Sequence, residues 1–257
     1  MKKNSLIALA AMTMLLLCSI AANAHEFILK PVQLNIESGH KLGFSVIASH
    51  VFMISEEAEP AEQVEISLIE KDSRSNVIVQ KNDMLQTLDG AVELKKQGTV
   101  ILAGHRKGMI WSQTTQGFKQ TGKKELQGVI SSGKYEKFCK TLINVGKSDD
   151  GYKKVIGHKL EIVPVSDPSE AAINKDLIFK IIYDGKPLSV GVYATYDGFS
   201  SNPNTYAYFT EANEEGMAKV KITHPGVWMV RVEQKSKEVT DDYDEHLIRA
   251  VLVFGVN

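Results

Sequence analysis

Val64, Ile66 and Leu68 alternate with Gln63, Glu65 and Ser67, the period of two expected of a strand with one buried face. Short segments of the same kind recur at Phe27-Ile28-Leu29, at 41–48 after a turn at Gly39, at Val77-Ile78-Val79 and at 99–103. Regularly spaced short strands of this type predict an antiparallel sandwich or barrel. The rhythm breaks at residues 104–150. There Gly117, Gly122, Gly128 and Gly133 punctuate a polar, lysine-rich stretch, and Tyr135, Phe138, Cys139 and Leu142 follow at i, i+3, i+4 and i+7. That spacing predicts a loop and then a short helix around 135–142. Lys147-Ser148-Asp149-Asp150-Gly151 reads as the start of a linker.

Beyond it the strand pattern begins afresh, at 159–165, 177–183, 190–196, 206–210, 217–222, 227–232 and 249–254. Asp184-Gly185 is a hairpin signal, and further turns fall at Asn202-Pro203, Glu215-Gly216 and Pro225-Gly226. Seven short strands in one run predict an immunoglobulin-like sandwich, here without the cysteine pair of antibody domains. Trp228 alternates with Val230 and Val232, so it is expected to be buried.

The first residues read differently. Lys2 and Lys3 precede a mostly apolar run, and Ala22-Asn23-Ala24 supplies a cleavage pattern of small residues, so 1–24 is expected to be a signal peptide and the protein periplasmic. Cys18 follows the large Leu17, which argues against lipidation there. Removing 24 of the 257 residues leaves 233, comfortable for two domains. The expected units are 25–150 and 159–257, with the boundary near 147–158. The leader holds two of the 30 Lys and Arg and none of the 31 Asp and Glu, so the remainder carries 28 basic against 31 acidic groups, net −3. A nearly neutral chain of this kind argues against nucleic acid as a partner. Cys139 is then the one cysteine of the mature chain; it has no internal disulfide partner and is expected to be a small buried apolar residue.

Cleavage after Ala24 would leave His25 first. A free α-amino group titrates near neutrality, so it yields its proton to a metal readily, and the imidazole of the same residue can close a small chelate ring. The opening His25-Glu26-Phe27 with Pro31, then Tyr135-Glu136-Lys137-Phe138-Cys139, Leu160-Glu161-Ile162-Val163-Pro164, Ile182-Tyr183-Asp184-Gly185 and Pro225-Gly226-Val227-Trp228, resemble in order the landmarks of a bacterial periplasmic family. That family is described as the periplasmic component of cobalt or nickel uptake. The resemblance implies an all-β chain of two tandem immunoglobulin-like β-sandwich domains, with the loop and short helix as an insertion in the first. It also implies an association with transition-metal uptake. Ile28 stands where the family has Trp, Glu245-His246-Leu247-Ile248 where it has an aromatic-rich strand, and His50-Val51-Phe52 keeps the family's second histidine without its proline.

Of the seven histidines, His40 and His224 sit in turns, and His158, beside Gly157, is expected at the surface. His50, His105 and His246 fall near predicted strand ends, where loops can converge. Acidic residues flank two of them: Glu56, Glu57 and Glu59 after His50, and Asp241, Asp242, Asp244 and Glu245 before His246. Nitrogen ligands suit nickel, cobalt, copper and zinc. The expected site therefore joins His25 and His50 with His105 or His246 around a divalent transition metal, nickel or cobalt first, copper or zinc as alternatives. No pair has a tight ligand spacing. The cargo would be a free ion or a metal chelate, and the partner an inner-membrane or outer-membrane transporter. Two further classes stay open: a copper-dependent oxidative enzyme built on an N-terminal histidine, and a non-catalytic adhesion or envelope-interaction module. Signatures of catalysis are missing from the sequence, with no G-x-S-x-G and no G-x-G-x-x-G, so no turnover is expected. Gly146-Lys147-Ser148 imitates the end of a P-loop, but the earlier glycine is Thr141.

Overall fold

A computed structural model describes residues 25–257. The expected signal peptide and its cleavage site lie outside the described residues. Within them the chain is strands joined by turns, with short 3-10 turns and no α-helix.

Three sheets are stacked as layers. The middle one runs, in spatial order, through strands Tyr208–Glu211, Gly191–Tyr196, Gly226–Lys237, Glu245–Val256, Val129–Val145, Gly98–Thr114, Val64–Ile69 and Arg74–Val77. One outer sheet comprises Glu26–Pro31, His40–Ser49, Thr87–Leu94 and Val79–Asn82; the other contains Leu160–Pro164, Asp176–Tyr183, Lys186–Pro187 and Met217–Lys221. The seam between the two halves of the chain is a parallel pairing of Val129–Val145 with the last strand, with Phe138 opposite Ala250.

Strand alternation then builds two cores on opposite faces of one sheet. Leu102, Cys139, Ile143, Val251 and Val253 pack with Phe27, Leu29 and Val46 of the first outer sheet. Ile101, Ala103, Phe138, Leu142, Ala250 and Leu252 pack with Leu160, Phe179 and Val220 of the other. A strand covered on both faces needs an apolar run rather than an alternating one, which is why the closing strand reads Ala250-Val251-Leu252-Val253-Phe254. The all-β, immunoglobulin-like sandwich architecture is present, with the two sandwiches sharing their middle layer. Trp228 is fully buried and donates its indole N–H to the His224 carbonyl at 2.9 Å.

The short helix expected around 135–142 is a strand. Val129–Val145 forms a long hairpin with Gly98–Thr114, and the polar stretch 104–133 is largely the distal half of that hairpin. The apolar spacing misleads because both faces of this strand are covered: Cys139 belongs to one core, Phe138 and Leu142 to the other. Pairing on both edges, with Gly98–Thr114 and Glu245–Val256, satisfies the backbone groups that a helix would have satisfied internally.

Cys139 is a free, fully buried thiol, its ionisation pushed up to about 12 by burial. His158 corrects its expected surface role. It is half-buried, with its ring 4.8 Å from that of Phe138, and burial pushes its ionisation down to about 3. His40 and His224 are exposed, the latter stacked on Tyr196.

Candidate metal centre

His25 immediately precedes the strand Glu26–Pro31, and His50 immediately follows His40–Ser49. These strands pair antiparallel with Glu26 opposite Ser49. One further step along that register sets His25 opposite His50, and their ring centroids lie 4.0 Å apart. The chain then turns sharply. Met53 adopts a positive φ of 68°, the Ile54 N–H donates to the Val51 carbonyl at 3.0 Å, and the Glu56 N–H returns to the Ala48 carbonyl at 2.9 Å.

That return brings Glu56 against both histidines. Its Oε1 accepts the His50 backbone N–H at 2.8 Å, and its Oε2 lies 2.7 Å from His50 Nδ1 and 3.2 Å from His25 Nε2. Glu57 Oε1 lies 3.0 Å from the other ring nitrogen of His25, Nδ1. Burial opposes ionisation of Glu56, but the hydrogen bonds from His50 and the charges of His50 and His25 outweigh it and lower the carboxyl to about 2. Glu56 therefore stays anionic at any ordinary pH. A neutral imidazole has one N–H, whereas His25 faces a carboxylate at each ring nitrogen. Protonation, or a metal on one nitrogen, satisfies both.

His25, His50 and Glu56 each offer a ligand atom, and these atoms all lie within 4.8 Å of one another. Metal–ligand bonds for imidazole nitrogen and carboxylate oxygen are about 2.0–2.2 Å. Small side-chain adjustments would bring all three onto one ion.

His105 and His246 do not join this group. His105 lies inside the strand Gly98–Thr114 rather than at its end, on the face of Ile101 and Ala103, stacked on Phe138 at 4.6 Å. His246 opens the last strand on the face of Ile248 and Ala250. Both converge on Glu136. His105 Nε2 is 2.7 Å from Oε1, and His246 Nε2 is 3.0 Å from Oε2, in range but outside hydrogen-bonding geometry. The Glu136 carboxyl is half-buried, which opposes its ionisation, but it is held below its usual range by these two histidines, His105 foremost. The middle sheet stands between this group and the cavity that His25 lines, so the expected set of His25 and His50 with His105 or His246 is not formed. Strand parity decides this: 105 and 106 point to opposite faces.

Sequence reasoning noted Glu56, Glu57 and Glu59 only as part of an acidic stretch, and it missed the charged groups beneath the site. Glu26, almost fully buried, accepts hydrogen bonds from Arg231 Nε at 2.9 Å and Tyr206 at 3.3 Å. Arg231 and Arg249 each reach Glu233 at 2.6 Å. Lys137 pairs with Glu59 at 2.8 Å, with both side chains nearly inaccessible. The available signal was Lys137 at an inward position of a strand, where a charge has to be paired. Among the described residues no helix is long and apolar enough to cross a membrane.

Residues 22–236 match the family described as a domain of unknown function, DUF4198, and the chain belongs to that family. No curated protein matches the sequence. Solved structures with similarity include the D0–D1 domain of intimin (11% identity, 89% of this chain and 97% of that one, TM-score 0.23). The Escherichia coli adhesin FdeC gives 10% identity over 91% of this chain and 64% of its own, TM-score 0.26. Mouse nectin-like molecule 4 gives 10% over 91% and 65%, TM-score 0.22. Similarity at this level bears on neither mechanism nor partner.

Proposed function

We propose that this chain is an exported protein that binds a divalent transition metal through His25, His50 and Glu56, without turnover, and acts beside a membrane transporter for that metal. Nickel and cobalt head the candidates, with copper and zinc behind. The observation that carries the reading is the convergence of two imidazoles and one permanently ionised carboxylate within 4.8 Å. Two nitrogens and one oxygen favour a late first-row metal over calcium or magnesium. Cleavage after Ala24 would add the freed amine of His25 as a further nitrogen, and a turn of the ring that exchanges Nδ1 for Nε2 on the Glu56 side would let Nδ1 close a six-membered ring with that amine on the same ion. The ion would displace protons from the imidazoles, so binding weakens as the pH falls through the imidazole range.

The test is calorimetric titration with nickel, cobalt and copper of three proteins: one starting at His25, one with a single residue added before it, and His50→Ala. Extension removes the amine while leaving every side chain in place. The extended protein and His50→Ala are each expected to bind at least about tenfold more weakly, the effect of losing about 1.4 kcal/mol. Equal binding by all three would overturn the reading.

A further inference from the structure

A cavity of about 460 Å³ adjoins the metal centre, and His25 lines both. That size is typical of sites for small organic molecules. Its wall is aromatic and apolar, with Met109, Trp111, Phe118 and Tyr135. Trp111 and Phe118 are exposed, at 38% and 49%. Their placement has a structural cause. Between the pairs Tyr135–Met109 and Lys137–Arg106 the hairpin is irregular, with one more residue on the Gly98–Thr114 side than on its partner. Such a bulge re-aims the residues beyond it. Without it, strand parity would send 108 and 110 to the face of Arg106; with it, Met109 and Trp111 arrive there.

The floor is cationic. Arg106 and Lys137, both almost inaccessible, share the single carboxylate of Glu59. Lys137 holds that carboxylate at 2.8 Å, leaving Arg106 Nε at 3.7 Å from it, beyond hydrogen-bonding distance. Arg106 Nη1 donates to the Lys107 carbonyl, but its buried Nε has no hydrogen-bond partner. Burying a guanidinium donor unpaired is unfavourable, and a carboxylate is its natural complement.

We infer that this cavity binds the organic part of a metal chelate: a small carboxylic acid with an aromatic or flat apolar body and a second donor atom, held with one carboxylate oxygen toward Arg106, its body against Trp111 and Phe118, and its other carboxylate oxygen and second donor on the ion at His25. The inference rests on the metal-binding reading above and names the form in which the metal arrives. An acid without the second donor could not chelate the ion at His25. A free ion would leave Arg106 Nε without a hydrogen-bond partner and the aromatic wall bare.

The probe is picolinate, which has one carboxylate, one aromatic ring and one nitrogen donor, with benzoate as the control lacking the donor. The protein starting at His25 is titrated with nickel, with picolinate, with benzoate, and with the preformed one-to-one nickel–picolinate complex. Binding is followed by calorimetry and by Trp111 fluorescence, with Trp111→Phe as the spectral control. The complex is expected to bind at least about tenfold more tightly than nickel or picolinate alone, and benzoate to gain nothing from nickel. Trp111→Ala, at an exposed position, is expected to remove most of that gain while leaving nickel alone unaffected. Arg106→Gln, if it folds, is expected to do the same. Nickel bound alone with no gain from picolinate, or a gain indifferent to Trp111→Ala, overturns the chelate and leaves the metal site standing. Picolinate bound equally well with and without nickel also overturns it. Nickel bound in neither form overturns both readings, whereas nickel bound only as the complex supports this inference and corrects the free-ion reading.

Discussion

Glu56 is the residue whose replacement discriminates most sharply, because Glu57 beside it provides a nearly matched control. Glu56→Gln keeps the shape of the side chain and an oxygen able to accept the His50 backbone N–H, now held at 2.8 Å. It removes the negative charge facing His50 Nδ1 at 2.7 Å and His25 Nε2 at 3.2 Å. Depression of the carboxyl from 4.5 to about 2, by the side-chain and backbone hydrogen bonds of His50 and the charges of His50 and His25, corresponds to about 3 kcal/mol, of which Gln keeps the backbone part. Because the side chain is 36% exposed, solvent screening reduces the share felt as stability to about 1 kcal/mol. For a chain of this size that is a fall in Tm of about 2–4 °C. The effect on metal is larger. Losing even the groups that support a ligand weakens metal binding about 10–100-fold, and loss of the ligand itself should do at least as much. Glu57 is 58% exposed and its carboxylate pairs with His25 on the side away from Glu56, so Glu57→Gln should change nickel affinity by less than about threefold, in the range of exposed ion pairs. Nickel titration of the two variants beside the parent, with thermal melts recorded without metal, checks both. Equal losses in the two variants, or full affinity in Glu56→Gln, would refute the assignment of Glu56 as a ligand.

Three other outcomes follow from buried groups. Lys140 and Glu161 pair at 2.9 Å with both side chains at 2% exposure or less, and Glu161 also accepts the backbone N–H groups of Ile156 and Gly157; Lys140→Met should therefore destabilise by about 3–5 kcal/mol in urea unfolding, and a loss under about 1 kcal/mol would contradict this pairing. Cys139, fully buried and with its thiol pushed up to about 12, should resist alkylation by iodoacetamide at pH 8 and react fully in guanidinium, because only the thiolate is the nucleophile; labelling of the native protein at the denatured rate would refute it. His158 has its folded value depressed from 6.5 to about 3 by burial, so the unfolded chain binds the extra proton between those values. Its contribution is thus intact above pH 6.5 and is lost as the pH falls toward 3. Relative to His158→Gln, the parent should lose about 2–3 kcal/mol more stability between pH 6 and pH 4, and parallel pH profiles would exclude the effect.

The sequence by itself determined the strand pattern, the apolar run of the closing strand, the burial of Trp228 and Cys139, and two of the three residues that cluster at His25. His25 and His50 were legible because each flanks a strand, and chain ends and loop ends are where ligands can gather. What it could not supply is which faces are covered. Tyr135, Phe138, Cys139 and Leu142 suit one stripe of a helix and also the two faces of a strand lying between two outer sheets; only the tertiary partners on both edges decide for the strand. The same parity sends His105 and His246 to Glu136 on one side of the middle sheet, and Arg106 and Lys137 to the cavity of His25 on the other. Glu56 entered through a turn at Met53 that no local residue pattern announces, since its positive φ is carried by a residue that rarely adopts it. Local periodicity fixes which residues share a face, whereas the pairing of strands far apart in the chain fixes what that face meets. The cluster of His25, His50 and Glu56 and its neighbouring cavity belong to that second level of organisation, because each is assembled from segments whose separation in sequence carries no signal of their contact.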